Sequence, residues 1–195
     1  MDPNLIKELR EKTFAGILDC KAALEEAGGN IEKAIVILRE KGKAGSKKLE
    51  GRSAKDGAIF SYIHHSTKLG VLLELNCETD FVAKTEEFKT LGKELCLQIA
   101  ASNPLYISEN DVPANIIEEE KNIIKNQFKD SGKPEAVLEK IASGRLSKFF
   151  EENCLLDQPY IREPKIKIKD LILETQAKFK EKLSVSRFAV FKVGG

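Results

Sequence analysis

The sequence predicts an α+β protein: a helical headpiece, then a core built on a small antiparallel sheet. Three observations carry this reading. Within the first 42 residues, apolar side chains recur at helical spacing in three short runs set off by cap and stop residues. Two runs of strand length, GAIFSYIHH and LGVLLELNCE, flank the polar turn STK, and a third, SVSRFAVFKV, closes the chain. Between them lie longer helical patterns with charged outer faces.

The headpiece spans residues 1–42. Asp2 is placed to cap a first helix, with Pro3 in its first turn and Leu5, Ile6 and Leu9 as its apolar stripe. Thr13 is placed to cap a second helix running through Ile17, Leu18, Lys21 and Leu24 to the stop Gly28-Gly29. Asn30 caps a third, with Ile31, Ala34, Ile35 and Leu38 facing inward and Gly42 as its end. A bundle of this size is marginal alone. Residues 43–56, KAGSKKLEGRSAKD, have little apolar periodicity and read as a linker with at most one exposed helical turn.

The core spans residues 57–195. Its first two strands form a hairpin, and the closing strand, about 184–193, alternates Val185, Arg187, Ala189 and Phe191 against Ser186, Phe188, Val190 and Lys192. From Lys84 to Ala101, Phe88, Leu91, Leu95 and Ile99 mark a helix. Pro113 opens the next, with Ile116, Ile117, Ile123, Ile124 and Phe128. DSGKP at 130–134 is a turn, and Val137, Leu138, Ile141, Leu146 and Phe149 mark the returning helix. Together, residues 113–153 make a projecting antiparallel helical hairpin. Pro159 and Pro164 keep the following segment extended, and a last helix runs from about Lys169 to Lys180.

Composition narrows the function. The 195 residues carry 32 Lys and Arg against 31 Asp and Glu, a net charge of +1. That balance argues against a dedicated nucleic-acid binder. No tract is apolar enough to span a bilayer, and the charged start MDPNLIKELREKT lacks a signal-peptide core, so a cytoplasmic protein is expected. Cys20, Cys77, Cys96 and Cys154 are too scattered for a CxxC motif and read as buried thiols. There is no phosphate loop, no GxGxxG after a strand, and no HExxH or GxSxG. His64 and His65 are neighbours that a strand would turn to opposite faces. A metal site or an enzyme built on His64 would need Glu78 or Asp80 to converge on it. The expectation is a protein that is not an enzyme and needs neither metal nor cofactor.

Residues 76–84, NCETDFVAK, stand apart. A phenylalanine sits beside an aspartate where a strand gives way to a helix. Two readings are open. Phe81 can tuck back as a plug over the end of the sheet, with Thr79 or Asp80 as a helix cap. Alternatively it is a rigid aromatic anchor for a partner's pocket, with an adjacent carboxylate for a directional contact.

The stretches LIKELREKTFAGILDCKAALEEAGGNIEKAI, LELNCETDFVAK, SGKPEAVLEKIASGRLSKFFEE, LLDQP and SRFAVFKVG, in this order, closely resemble the bacterial elongation factor Ts family. The resemblance covers nearly the whole chain and implies a guanine-nucleotide exchange factor for the GTPase elongation factor Tu. It implies that the headpiece is a ubiquitin-associated-like domain docking through Arg10, Ile17, Leu18 and Lys21. Thr79, Asp80, Phe81 and Val82 match the family's TDFV motif, whose phenylalanine would wedge near the bound magnesium and phosphates. The helical hairpin matches the family's protrusion. Many members carry two core units, and this chain has room for one. It therefore resembles the short, homodimeric form, with His64 as a core contact, the closing strand bearing Phe188 and Phe191 as a dimer edge, and a two-plus-two complex with Tu. The alternative is a binding scaffold for a GTPase or other partner, without exchange activity.

Overall fold

Side-chain caps and glycines set the boundaries of the first helices. The computed structural model describes residues 2–13, 15–47, 49, 51–128 and 135–194. It opens with α1 (Pro3–Thr13), α2 (Ile17–Glu26) and α3 (Ile31–Lys47). Asp2 Oδ1 accepts the Asn4 N–H at 2.8 Å, and Asn30 Oδ1 accepts that of Lys33 at 3.0 Å. Each such cap is worth about 1 kcal/mol. Gly28 and Gly29 take left-handed φ of 61° and 83°, and the Gly29 N–H returns to the Leu24 carbonyl at 2.8 Å. The expected cap at Thr13 does not form. Thr13 ends α1 instead, its hydroxyl donating back to the Leu9 carbonyl at 2.7 Å, and Gly16 precedes α2. Leu9, Cys20, Ala23, Leu24 and Ala34 are fully buried in the headpiece core.

The remaining elements are β1 (Asp56–Ile63), β2 (Leu69–Cys77), α4 (Asp80–Ala83), α5 (Glu86–Ser102), α6 (Ala114–Phe128), α7 (Glu135–Asn153), β3 (Pro159–Tyr160), β4 (Glu163–Lys167), α8 (Ile168–Phe179) and β5 (Ser184–Lys192). The sheet order is β1-β2-β5. The His64 N–H donates to the Leu69 carbonyl at 2.9 Å across the hairpin turn. The Val193 N–H donates to the Lys68 carbonyl at 3.0 Å, as an antiparallel β5 requires. The expected α+β class, with a small antiparallel sheet and three N-terminal helices, is the one found. The chain forms two units.

The first unit comprises Met1–Phe60, Leu73–Lys93 and Asp170–Ser186. Period-two alternation in β2 buries Leu73, Leu75 and Cys77. Phe60 of β1 lies against the buried Phe88 of α5, ring centroids 5.8 Å apart. A Cβ on Gly92 would stand 2.3 Å from the Phe60 ring, so the strand reaches the helix only because residue 92 has no side chain. Gly42 does not end α3, which runs on through Lys47 into the stretch expected to be linker. A Cβ there would meet that of Ala177 at 3.2 Å, so this glycine serves close approach to α8. Arg39 adds an ion pair to Glu174 at 2.9 Å.

The second unit comprises Ser61–Leu72, Glu94–Lys169 and Arg187–Gly195. Leu95 and Ile99 are fully buried, as their spacing predicts. α6 and α7 form the expected hairpin, in which Ile124 is buried and Leu138, Ile141, Leu146 and Phe149 are half-buried. The expected turn at 130–134 and the Phe128 side chain lie outside the described residues. The segment expected to be merely extended contains a short 3-10 turn, Leu155–Asp157, and the β3–β4 pair. Two buried amides brace it. Gln98 Nε2 donates to Gln158 Oε1 and to the Pro159 carbonyl, both at 3.2 Å, while Gln98 Oε1 accepts the Ile161 N–H at 2.9 Å. No helix among the described residues is long and apolar enough to cross a membrane.

Gly92→Ala is expected to lower stability. Overpacking against Phe60 costs about 1–3 kcal/mol, and the helix gains back only about 0.5–1 kcal/mol. The denaturation midpoint of the purified variant checks this. A second expectation concerns Tyr160, whose hydroxyl donates to Glu94 Oε2 at 2.8 Å. Burial, then the neighbouring carboxylate, pushes its phenol up to about 12. The unfolded phenol ionises near 10. Stability from this group is therefore complete below pH 10 and lost as pH rises toward 12. Ultraviolet difference titration of wild type and Tyr160→Phe should show the high step in wild type alone.

Candidate functional site

The motif at 79–82 is shaped by what β2 delivers to it. Cys77 is the last inward residue of the strand, and its thiol donates to the Thr79 carbonyl at 3.1 Å. Burial, with Asp56 and Glu181 nearby, pushes that thiol up to about 11, so it stays protonated and a donor. Thr79 then holds an extended conformation, φ −130° and ψ 152°, and α4 begins. The helix expected from Lys84 begins at Glu86 as α5, and α4 and α5 are separate helices. Thr85 interrupts them, its hydroxyl donating to the Val82 carbonyl at 2.8 Å while accepting the Phe88 N–H at 3.2 Å as the cap of α5.

The first turn of α4 divides its side chains sharply. Val82 is 7% exposed and anchors the turn inward, so it presents no face to a partner. Phe81 is 79% exposed. The reading of Phe81 as a plug over the sheet is therefore overturned. Asp80 points outward and pairs with Lys84 at 2.5 Å, one turn along. The hydrogen bond and charge of Lys84 hold its carboxyl below the usual carboxylate range.

Thr79 heads α4 but does not cap it with its side chain. Its hydroxyl donates instead to Glu181 Oε1 at 2.7 Å, and its N–H to Glu181 Oε2 at 3.1 Å. A reciprocal bond runs beside it: the Lys182 N–H donates to Glu78 Oε1 at 2.7 Å, and Arg52 pairs with Glu78 Oε2 at 3.4 Å. Sequence reasoning missed Glu181 altogether, because a contact 102 residues away leaves no local signal.

On the headpiece, Ile17 is 56% exposed and Leu18 80%. Adjacent residues on a helix cannot both face a core, and here Cys20, Ala23 and Leu24 occupy it, leaving both outside. Arg10, Ile17 and Leu18 line a groove of about 850 Å³ whose other wall includes Glu174 and Ala177. Lys21 is exposed near Glu25, at 4.0 Å, and is not on that lining. His64 belongs to the second unit. β1 ends at Ile63, so strand alternation does not reach the histidine pair, and the rings expected on opposite faces lie 4.0 Å apart. His64 Nδ1 is 2.9 Å from Ser66 Oγ. Among the described residues no three His, Cys, Asp or Glu side chains gather as a metal site would. The arrangement presents an aromatic ring on a braced turn and an apolar face on a small bundle, both suited to a protein partner.

Comparison with known proteins agrees with this geometry. The model of the family "Elongation factor TS" matches residues 5–195. Elongation factor Ts of Thermodesulfovibrio yellowstonii is 59% identical over 190 residues, covering 97% of this chain and 94% of its own length. That of Caldanaerobacter subterraneus subsp. tengcongensis is 55% identical over 189 residues, with coverages of 97% and 94%. That of Thermotoga petrophila is 55% identical over 191 residues, with coverages of 98% and 95%. With so complete a match, the chain belongs to the elongation factor Ts family.

Proposed function

We propose that this protein is a guanine-nucleotide exchange factor that binds elongation factor Tu in its GDP form and promotes GDP release during translation elongation. The supporting observation is Phe81, a ring 79% exposed on a turn fixed from several sides. Exchange needs no covalent chemistry. It requires tighter binding to the nucleotide-free GTPase than to the GDP-bound form, and linkage then weakens GDP by the same factor. Burying the Phe81 ring in a pocket that opens only when the magnesium and phosphate contacts are disturbed supplies about 1.5–3 kcal/mol toward that difference. Asp80 enters the encounter ionised, as a directional acceptor or as a repellent of a nearby acid. Arg10, Ile17, Leu18 and Lys21 dock the headpiece on the GTPase and add binding that is indifferent to nucleotide. His64 is a second contact from the core.

The working unit is a homodimer in a two-plus-two complex with Tu. β5 is an edge strand, and Ile63, Leu72, Phe191 and Val193 of the second unit are 64%, 45%, 65% and 74% exposed. Phe188 of the same strand is half-buried and faces the other way, so the apolar contact falls to Phe191. A second copy, presenting the same exposed apolar edge, is the partner that fits it.

Phe81→Ala should keep its fold and slow GDP release from Tu about 10- to 100-fold. Stopped-flow release of a fluorescent GDP measures it, and an unaltered rate would sink the mechanism. Tight binding to Tu with no acceleration by the wild type would favour a scaffold. Phe191→Glu should convert the protein to a monomer in sedimentation equilibrium.

A further inference from the structure

Four residues are too few for a helix to hold its own direction; isolated helices need about 12–15. α4 therefore takes its orientation from outside, and so does Phe81. Val82 and Thr85 fix the far end of the turn. At the near end the expected cap is missing, because the Thr79 hydroxyl is turned away to Glu181. Both oxygens of that carboxylate are engaged by the single residue before Asp80. Charge-assisted bonds of this kind are short and directional.

Glu181 is itself held firmly. Lys180 just before it adopts a left-handed φ of 57°, the conformation in which helices commonly end. The Lys180 N–H closes α8 onto the Gln176 carbonyl at 2.7 Å. After it, the Lys182 N–H is bound by Glu78, and the Leu183 N–H by Gln176 Oε1 at 2.8 Å. The side chain of residue 78 thus grips the backbone of 182 while that of 181 grips the backbone of 79. These bonds tie the two chain segments together at the motif's first residue and at the residue before it.

We propose that Glu181 is a positioning residue for exchange: through Thr79 it sets the direction in which Phe81 meets the GTPase. This rests on the reading of Phe81 as the exchange element. The test uses the full-length protein and Tu·GDP, with release rates followed against protein concentration to separate the limiting rate from the half-saturating concentration. Glu181→Ala should lower the limiting rate about 5- to 10-fold with the half-saturating concentration little changed. Glu181→Gln, which can still accept the Thr79 N–H and donate to its hydroxyl, should recover most of the rate. In a Phe81→Ala background, Glu181→Ala should cost nothing further. A full limiting rate for Glu181→Ala beside a slow Phe81→Ala overturns the positioning role alone. A full rate for Phe81→Ala overturns the reading of Phe81 as the exchange element and this inference with it. A Glu181→Gln variant as slow as Glu181→Ala, or a loss that multiplies with Phe81→Ala, also overturns it. Thermal denaturation guards against a trivial answer: a rate loss that follows a collapse of the fold in Glu181→Ala, with Glu181→Gln equally unfolded, refutes positioning.

Discussion

Phe60 rests where a side chain of residue 92 would be. That close approach ties β1 to α5 in the first unit, and the buried Phe88 completes the contact. β2 pairs with β1, so the end of β2 and the start of α5 are both located by it. The motif at 79–82 is the short span between those two points. Its room for movement is therefore set by core packing before any polar contact forms. The hydrogen bonds of Thr79 and Thr85 then select one conformation from the few that remain.

The site follows a consistent physical logic. Exposing a phenylalanine forgoes about 1.5–3 kcal/mol that burial in the protein's own core would provide. The turn tolerates this because Val82 is buried on its inward side. The headpiece repeats the pattern on a smaller scale, with Cys20 and Leu24 inside and Ile17 and Leu18 outside. In both places an apolar side chain is held out by neighbours that have taken the inward positions.

Local signals made much of this legible. Asn30 and Gly28-Gly29 act as their chemistry dictates, and the inward stripe of Phe88, Leu91, Leu95 and Ile99 follows directly from spacing. Three departures from local preference share one cause. Gly42 looks like a helix stop but answers to Ala177, more than a hundred residues on. Gln98 looks like the polar side of a helix but is 1% exposed, satisfied by Gln158 and the backbone around Pro159. Thr79 looks like an ordinary cap, yet its hydroxyl belongs to Glu181. In each case a distant residue overrode the local preference. The exposure of Phe81 was equally illegible, since sequence alone offered the plug and the probe on equal terms.

The Thr79–Glu181 contact spans 102 residues, and this has a consequence for synthesis of the chain. A ribosome adding about 5–20 residues per second takes about 5–20 s to pass from one partner to the other. Throughout that interval the strands and helices around Phe81 can assemble, but the turn lacks the carboxylate that engages its first residue. The nascent chain thus carries its exposed aromatic ring for seconds without that restraint. The later stretch that carries Glu181 and β5 completes both the clasp and the sheet.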